Sequence, residues 1–152
     1  MRIPLSSPDI SQADIDAVVA VLKTPTLSLG PKLPEFEQKL AAYIGCRHAV
    51  VLNSGTSALH LSVRALGIGP GDEVITTPFS FVASANCMLF EGACPVFVDI
   101  DPTDYNIDVA QIEGAITDQT KAILAVDVFG RPARLDEIEE IFIGLGFSIG
   151  EG

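Results

Sequence analysis

Two short segments hold residue types that could bind an anion and a flat ring. The first is Ser54-Gly55-Thr56-Ser57. It follows His48-Ala49-Val50-Val51-Leu52, an apolar run of strand length, and precedes Leu59, Val63 and Leu66 at helical spacing. The first amides of a helix lack intrahelical acceptors and carry about half a positive charge. A glycine there lets an anion reach the backbone, and hydroxyls add donors, which makes a phosphate cradle. An ordinary Ser/Thr helix cap has the same residues, and spacing alone leaves both readings open. No Lys follows the glycine as in a P-loop, and G-x-G-x-x-G is absent. The second segment is Thr76-Thr77-Pro78-Phe79-Ser80-Phe81, after a second strand. Parallel sheets bind ligands beyond the carboxyl ends of their strands, and an aromatic placed there can stack on a planar ring. Core packing is the competing reading of those phenylalanines.

Other candidates carry less. His48 and His60 read as packing or surface residues, and Asp136, Glu137, Glu139 and Glu140 as a solvated helix face. No Ser/His/Asp arrangement and no metal-ligand motif occurs, so no metal is expected. Cys46, Cys87 and Cys94 are odd in number and not spaced as a zinc or disulfide framework, which suggests buried free thiols in a reducing cytoplasm. A formal charge of -11 over 152 residues disfavours nucleic acid and anionic membrane surfaces as partners. No secretory signal and no apolar run of membrane-spanning length is visible, so a soluble cytoplasmic protein is expected.

The elements that must position these segments alternate in type. Ser11 caps a first helix carrying Ile15, Val18, Val19 and Leu22. The stretch from Pro25 to Pro34 breaks it, and a second helix presents Phe36, Leu40, Tyr43 and Ile44 before Gly45. The strand 48–52 and the helix from the Ser/Thr cradle to about Gly67 come next. After the turn Gly69-Pro70-Gly71-Asp72, strands are expected at 73–77, 95–100 and 122–128. Helices are expected at 81–90, after Asp108, and at 135–142. Strands separated by helices imply βαβ units and an α/β fold with a largely parallel sheet.

Taken in order, these residues resemble the DegT/DnrJ/EryC1/StrS family of pyridoxal-phosphate (PLP) sugar aminotransferases. The resemblance rests on Gly30-Pro31, Phe36-Glu37, Ala49 to Leu59 with its Ser54-Gly55-Thr56-Ser57-Ala58-Leu59, and Gly71-Asp72-Glu73-Val74-Ile75. It continues through Pro78 to Asn86, Gly92 to Asp101, Lys121 to Leu124 and Phe129-Gly130-Arg131-Pro132-Ala133. It covers roughly Pro4 to Glu140. It implies the large domain of the type I PLP-transferase fold. Gly55, Thr56 and Ser57 would bind the cofactor phosphate, Phe81 would stack on the pyridine ring, and Asn86 would lie near that ring. It further implies a homodimer that moves an amino group, usually from glutamate, to a keto carbon of a nucleotide-linked sugar.

Two functional residues of the family lie further along its chain: a carboxylate that keeps the pyridine nitrogen protonated, and the Schiff-base lysine. Residues 143–150 stand where the strand bearing the carboxylate is expected, and none of Lys23, Lys32, Lys39 or Lys121 is in a matching context. No catalytic residue is therefore assigned. The expectation is a truncated, incomplete large domain: residues 1–142 as its N-terminal portion, residues 143–152 as a divergent tail, inactive alone. In the family the first strand is also separated from the next three by strands from elsewhere. Arg134 stands where an acidic residue is usual, and Asp127 where many relatives have His. Two alternatives belong beside the aminotransferase reading: a non-catalytic module that holds PLP or a nucleotide-sugar or pairs with a full-length relative, and a fragment of a PLP-dependent sugar dehydratase.

Overall fold

A computed structural model describes residues 6–144. The chain divides into two compact units, Met1–Val51 and Leu52–Gly152.

The first unit contributes two helices. Helix α1 (Gln12–Leu22) opens with a full capping box: Ser11 accepts from the Asp14 amide, and the Asp14 carboxylate accepts from the Ser11 amide. Helix α2 (Lys32–Ile44) starts after Pro31 and stops at Gly45, whose φ of 86° suits glycine. Along α2, Glu35 accepts from Lys32 at 2.6 Å and from Lys39 at 2.7 Å. Those two ammonium groups pull its carboxyl down to about 2.

The second unit holds the sheet. Helix α3 (Gly55–Ala65) leads through the tight turn 69–72 into β1 (Glu73–Thr76). Then come α4 (Ala83–Leu89), β2 (Cys94–Phe97), α5 (Val109–Ala115), β3 (Thr120–Leu124) and α6 (Leu135–Gly144). The strands are parallel in the order β2-β1-β3. The β-branched run Val74-Ile75-Thr76 suits the central strand, buried on both faces. Successive side chains of a strand point to opposite faces. Val74 thus packs with Val63 and Ile68 around α3 and with Cys87 and Met88 of α4. Ile75 packs on the other side with Val109 and Ile112 of α5 and Ile138 of α6. The result is an α/β arrangement with helices on both faces of a small parallel sheet.

Several sequence expectations change. The run 48–52 is not a strand: no described segment forms a ladder with it, and the Val51 amide instead donates to Glu37 Oε1 at 3.0 Å. The strand expected at 122–128 spans Thr120–Leu124, because the chain turns into a 3-10 helix at Val128–Gly130. The strand expected at 95–100 pairs only as far as Phe97, and Ile100 makes an antiparallel bridge with Ile107. The helix expected at 81–90 is the shorter Ala83–Leu89. Of the three thiols, only Cys87 is buried, with its pKa raised by desolvation; Cys46 and Cys94 are exposed. Ile143 and Gly144 close α6, and the rest of the segment 143–152 lies outside the described residues.

Candidate active site at the carboxyl edge of the sheet

The carboxyl ends of β1 and β3 are neighbours, since the two strands pair in parallel and Thr76 sits opposite Leu124. A Thr76 hydroxyl bond to the Leu124 carbonyl, 2.9 Å, ties these ends together. The chain leaves β1 toward α4 on one face and leaves β3 toward α6 on the other. Such a divergence opens a crevice in a parallel sheet. A cleft of about 410 Å³ lies there, lined by Pro78, Phe79, Ser80 and Phe81 after β1 and by Val126, Asp127, Val128 and Phe129 after β3.

Each wall has a local cause. After β1, the Thr77 hydroxyl accepts from the Phe79 amide at 3.2 Å, and Ser80 and Ser84 share a hydroxyl hydrogen bond of 2.8 Å. These turns lift Phe81 out, leaving it 74% exposed just before α4. After β3, the Asp127 carboxylate accepts from the Ala133 amide at 2.9 Å. Gly130 lies at a φ of 81°, which glycine takes without strain, so the backbone can turn back at once. Phe79 meets Phe129 edge-on and Tyr105 at a tilt, with centroids 6.2 Å apart in each case.

The Ser/Gly/Thr segment reaches the same edge by topology. Helix α3 precedes β1 through a short turn, and α4 follows β1 in a parallel crossover, so both run back along the sheet. Contacts agree with this direction: His60 and Arg64 meet Glu91, while Gly92 meets Pro70 further on. The N-termini of α3 and α4 therefore both face the carboxyl side of β1. Ser54 is the N-cap of α3, and its hydroxyl accepts from the Ser57 amide at 3.1 Å. The Gly55 and Thr56 amides have no acceptor among the described residues. A Cβ built at Gly55 meets nothing within 4 Å, so a side chain could be accommodated at that position.

The comparisons with known proteins accord with this geometry. The profile of the DegT/DnrJ/EryC1/StrS aminotransferase family matches residues 8–150. The chain belongs to that family. It is 46% identical over 136 residues to the spore coat polysaccharide biosynthesis protein SpsC of Bacillus subtilis, covering 90% of this chain and 35% of that protein. It is 43% identical over 141 residues to GDP-perosamine synthase of Caulobacter vibrioides, covering 92% and 38%. The PLP-form of Spr1654 from Streptococcus pneumoniae superimposes with a TM-score of 0.91 at 36% identity, over 100% of this chain and 39% of that one. The chain thus spans little more than a third of the length of these relatives.

Within this family member, the residues singled out from the sequence fall into two groups. Gly55, Thr56 and Ser57 form the first turn of α3. Phe81 lines the cleft, and Asn86 lies half-buried on α4. The wall after β3 was missed as a candidate, because Val126 and Val128 read as apolar strand residues and Phe129 only as part of the resemblance to the family. Their place just past a strand end, beside a glycine, was the available signal. Lys23, Lys32, Lys39 and Lys121 do not line the cleft. Among the described residues no group of three or more His, Cys, Asp or Glu side chains could hold a metal, and no helix is long and apolar enough to cross a membrane.

Proposed function

We propose that this chain is the PLP-seating part of a nucleotide-sugar aminotransferase. What supports the reading is a helix N-terminus with two unpaired amides, directed by the topology toward the carboxyl side of β1, where an aromatic-lined cleft also lies. The Gly55 and Thr56 amides and the Thr56 hydroxyl bind the phosphate, helped by the positive end of α3. Ser57 shapes that turn, since its amide is already held by Ser54. Phe81 packs flat against the pyridine ring, and Asn86 lies close to it. When bound, PLP supplies the electron sink for transfer of an amino group. The described residues bind and orient the cofactor and exclude water from one of its faces. No lysine lines the cleft, and the carboxylate that does, Asp127, already accepts from the Ala133 amide.

The substrate in this proposal is a keto sugar linked to a nucleotide, the amino donor is glutamate, and the assembled enzyme is a cytoplasmic homodimer. The polysaccharide and perosamine names of two relatives support the sugar class.

Titration of the purified chain with PLP and, separately, with inorganic phosphate tests the seating. Phe81→Ala is expected to weaken PLP about 5- to 10-fold, on the scale of one aromatic stacking contact, and to leave inorganic phosphate unchanged. Equal loss for both ligands, or none for PLP, contradicts the assigned division of labour.

A further inference from the structure

Among the described residues three bulky ones adopt positive φ, namely Leu29, Tyr105 and Phe129; Phe129 lines the cleft, and Tyr105 packs on Phe79, which also lines it. Phe129 has φ 55° and Tyr105 φ 64°. Side chains of this size avoid the left-handed region, so such a conformation persists only where surrounding bonds impose it. Both rings meet Phe79, which lines the cleft.

One buried side chain connects the two strained sites. Asn106 is 1% exposed and follows Tyr105 directly. Its Oδ1 accepts from the Val128 amide at 3.0 Å, immediately before Phe129. Its Nδ2 donates to the Arg131 and Pro132 carbonyls, each at 3.1 Å. Its backbone is held as well: its amide donates to Asp104 Oδ1 at 3.0 Å, and its carbonyl accepts from Asp101 at 2.9 Å. The Tyr105 amide in turn donates to the Asp101 carbonyl at 2.8 Å. The amide group of Asn106 thus brackets the 129–130 turn from both sides, with all its strong hydrogen-bonding directions but one in use.

The geometry points to Asn106 as the positioning residue that holds Phe129 in its left-handed conformation and so fixes the Phe79–Phe129 wall of the cleft, with Tyr105 packed on Phe79. An aspartate keeps the acceptor for Val128 but sets a carboxylate against two carbonyls. A leucine fills the space and offers nothing to the three backbone groups. Neither can impose the turn. The inference stands on the loop's own bonds and is independent of which ligand the cleft receives.

A double-mutant cycle on the 152-residue chain tests it. With Asn106 present, Phe129→Gly is expected to melt roughly 3–8 °C above Phe129→Ala, because only glycine is relaxed at positive φ. In an Asn106→Ser background the loop relaxes, and that gap closes to about 1 °C or less. Nuclear Overhauser contacts between the Phe79 ring and the Tyr105 and Phe129 rings weaken in Asn106→Ser, and amide exchange at Val128 accelerates. Val63→Ala, which destabilises the core on the other face of the sheet, leaves those ring contacts intact. If Asn106→Ser unfolds, the comparison of Phe129→Gly with Phe129→Ala and the Val128 exchange rate in the parent chain still decide. Additive melting shifts, an equal Tm for the two Phe129 variants, or fast exchange at Val128 in the parent chain overturns the proposal.

Discussion

Helices α1 and α4 are both written with apolar residues at helical spacing, yet they end in opposite environments. In α1, Ile15, Val18, Val19 and Leu22 are all exposed, and the helix has no buried residue. In α4, which is shorter, Ala83, Ser84, Cys87 and Met88 are buried. The difference lies in what each unit offers its helices. The second unit has a central strand with two faces to cover, and α4 covers one of them through Met88 and Cys87 against Val74. The first unit has no sheet among its described residues. Apolar periodicity therefore states which face a helix can bury, while burial requires a complementary surface within the same unit.

The largest effect that would sharpen this comparison is in the β1 layer. Ile75→Ala is expected to lower stability by about 2–5 kcal/mol, since its side chain is fully buried between α5 and α6. Val18→Ala, the matching deletion in α1, should cost less than about 0.5 kcal/mol. Denaturant melts of the two variants measure this directly, and similar losses would break the contrast.

A smaller effect separates two glycines. Gly92, at a φ of 78°, would place a Cβ 3.1 Å from the Pro70 side chain, whereas Gly45, at 86°, meets open space. Gly92→Ala combines strain with a close contact, so it should cost about 1–2 kcal/mol, and more than Gly45→Ala. Smaller again is the cap of α1. Ser11→Ala removes one half of the capping box and should cost about 1 kcal/mol.

The smallest effect is a pH dependence confined to the first unit. Glu35 has a folded pKa of about 2, below its ordinary 4.5, because Lys32 and then Lys39 hydrogen-bond it. A depressed carboxyl binds its proton more readily when unfolded. Its stabilising share is complete above about pH 4.5 and is lost as pH falls toward 2. The carboxylate is reached by solvent, so added salt should flatten this dependence. Acid titration of Glu35→Gln against the parent chain, by circular dichroism at 222 nm, should show it (a wavelength of about 222 nm reports helix, the element Glu35 braces).

Much of this was legible in the sequence because it is local. The Ser11 and Asp108 caps, the Gly45 stop and the 69–72 turn depend on a few adjacent residues, and each formed where the spacing placed it. Strand ends were less legible, because a strand lasts only as long as its neighbour's ladder. Val126 and Val128 have strand composition, yet Asn106, more than twenty residues earlier, takes the Val128 amide and turns the chain away. The run 48–52 failed for the same reason: its composition suits a strand, but no described partner pairs with it. At the site, the Ser54–Ser57 turn that opens α3 was visible as a motif. The aromatic wall was not, since Phe79, Tyr105 and Phe129 converge only through the fold.

The central claim is that the start of α3 receives the phosphate of PLP. Phosphorus NMR titration of PLP into the parent chain and into Gly55→Asp tests it most directly. Gly55 has open space in front of it, so the aspartate should leave the melting temperature nearly unchanged while setting a negative charge where the phosphate binds. The expected result is a saturable phosphorus shift in the parent chain and at least about a 10-fold weaker affinity in Gly55→Asp. A parent chain with no saturable shift, or an unchanged affinity in Gly55→Asp, would contradict the claim.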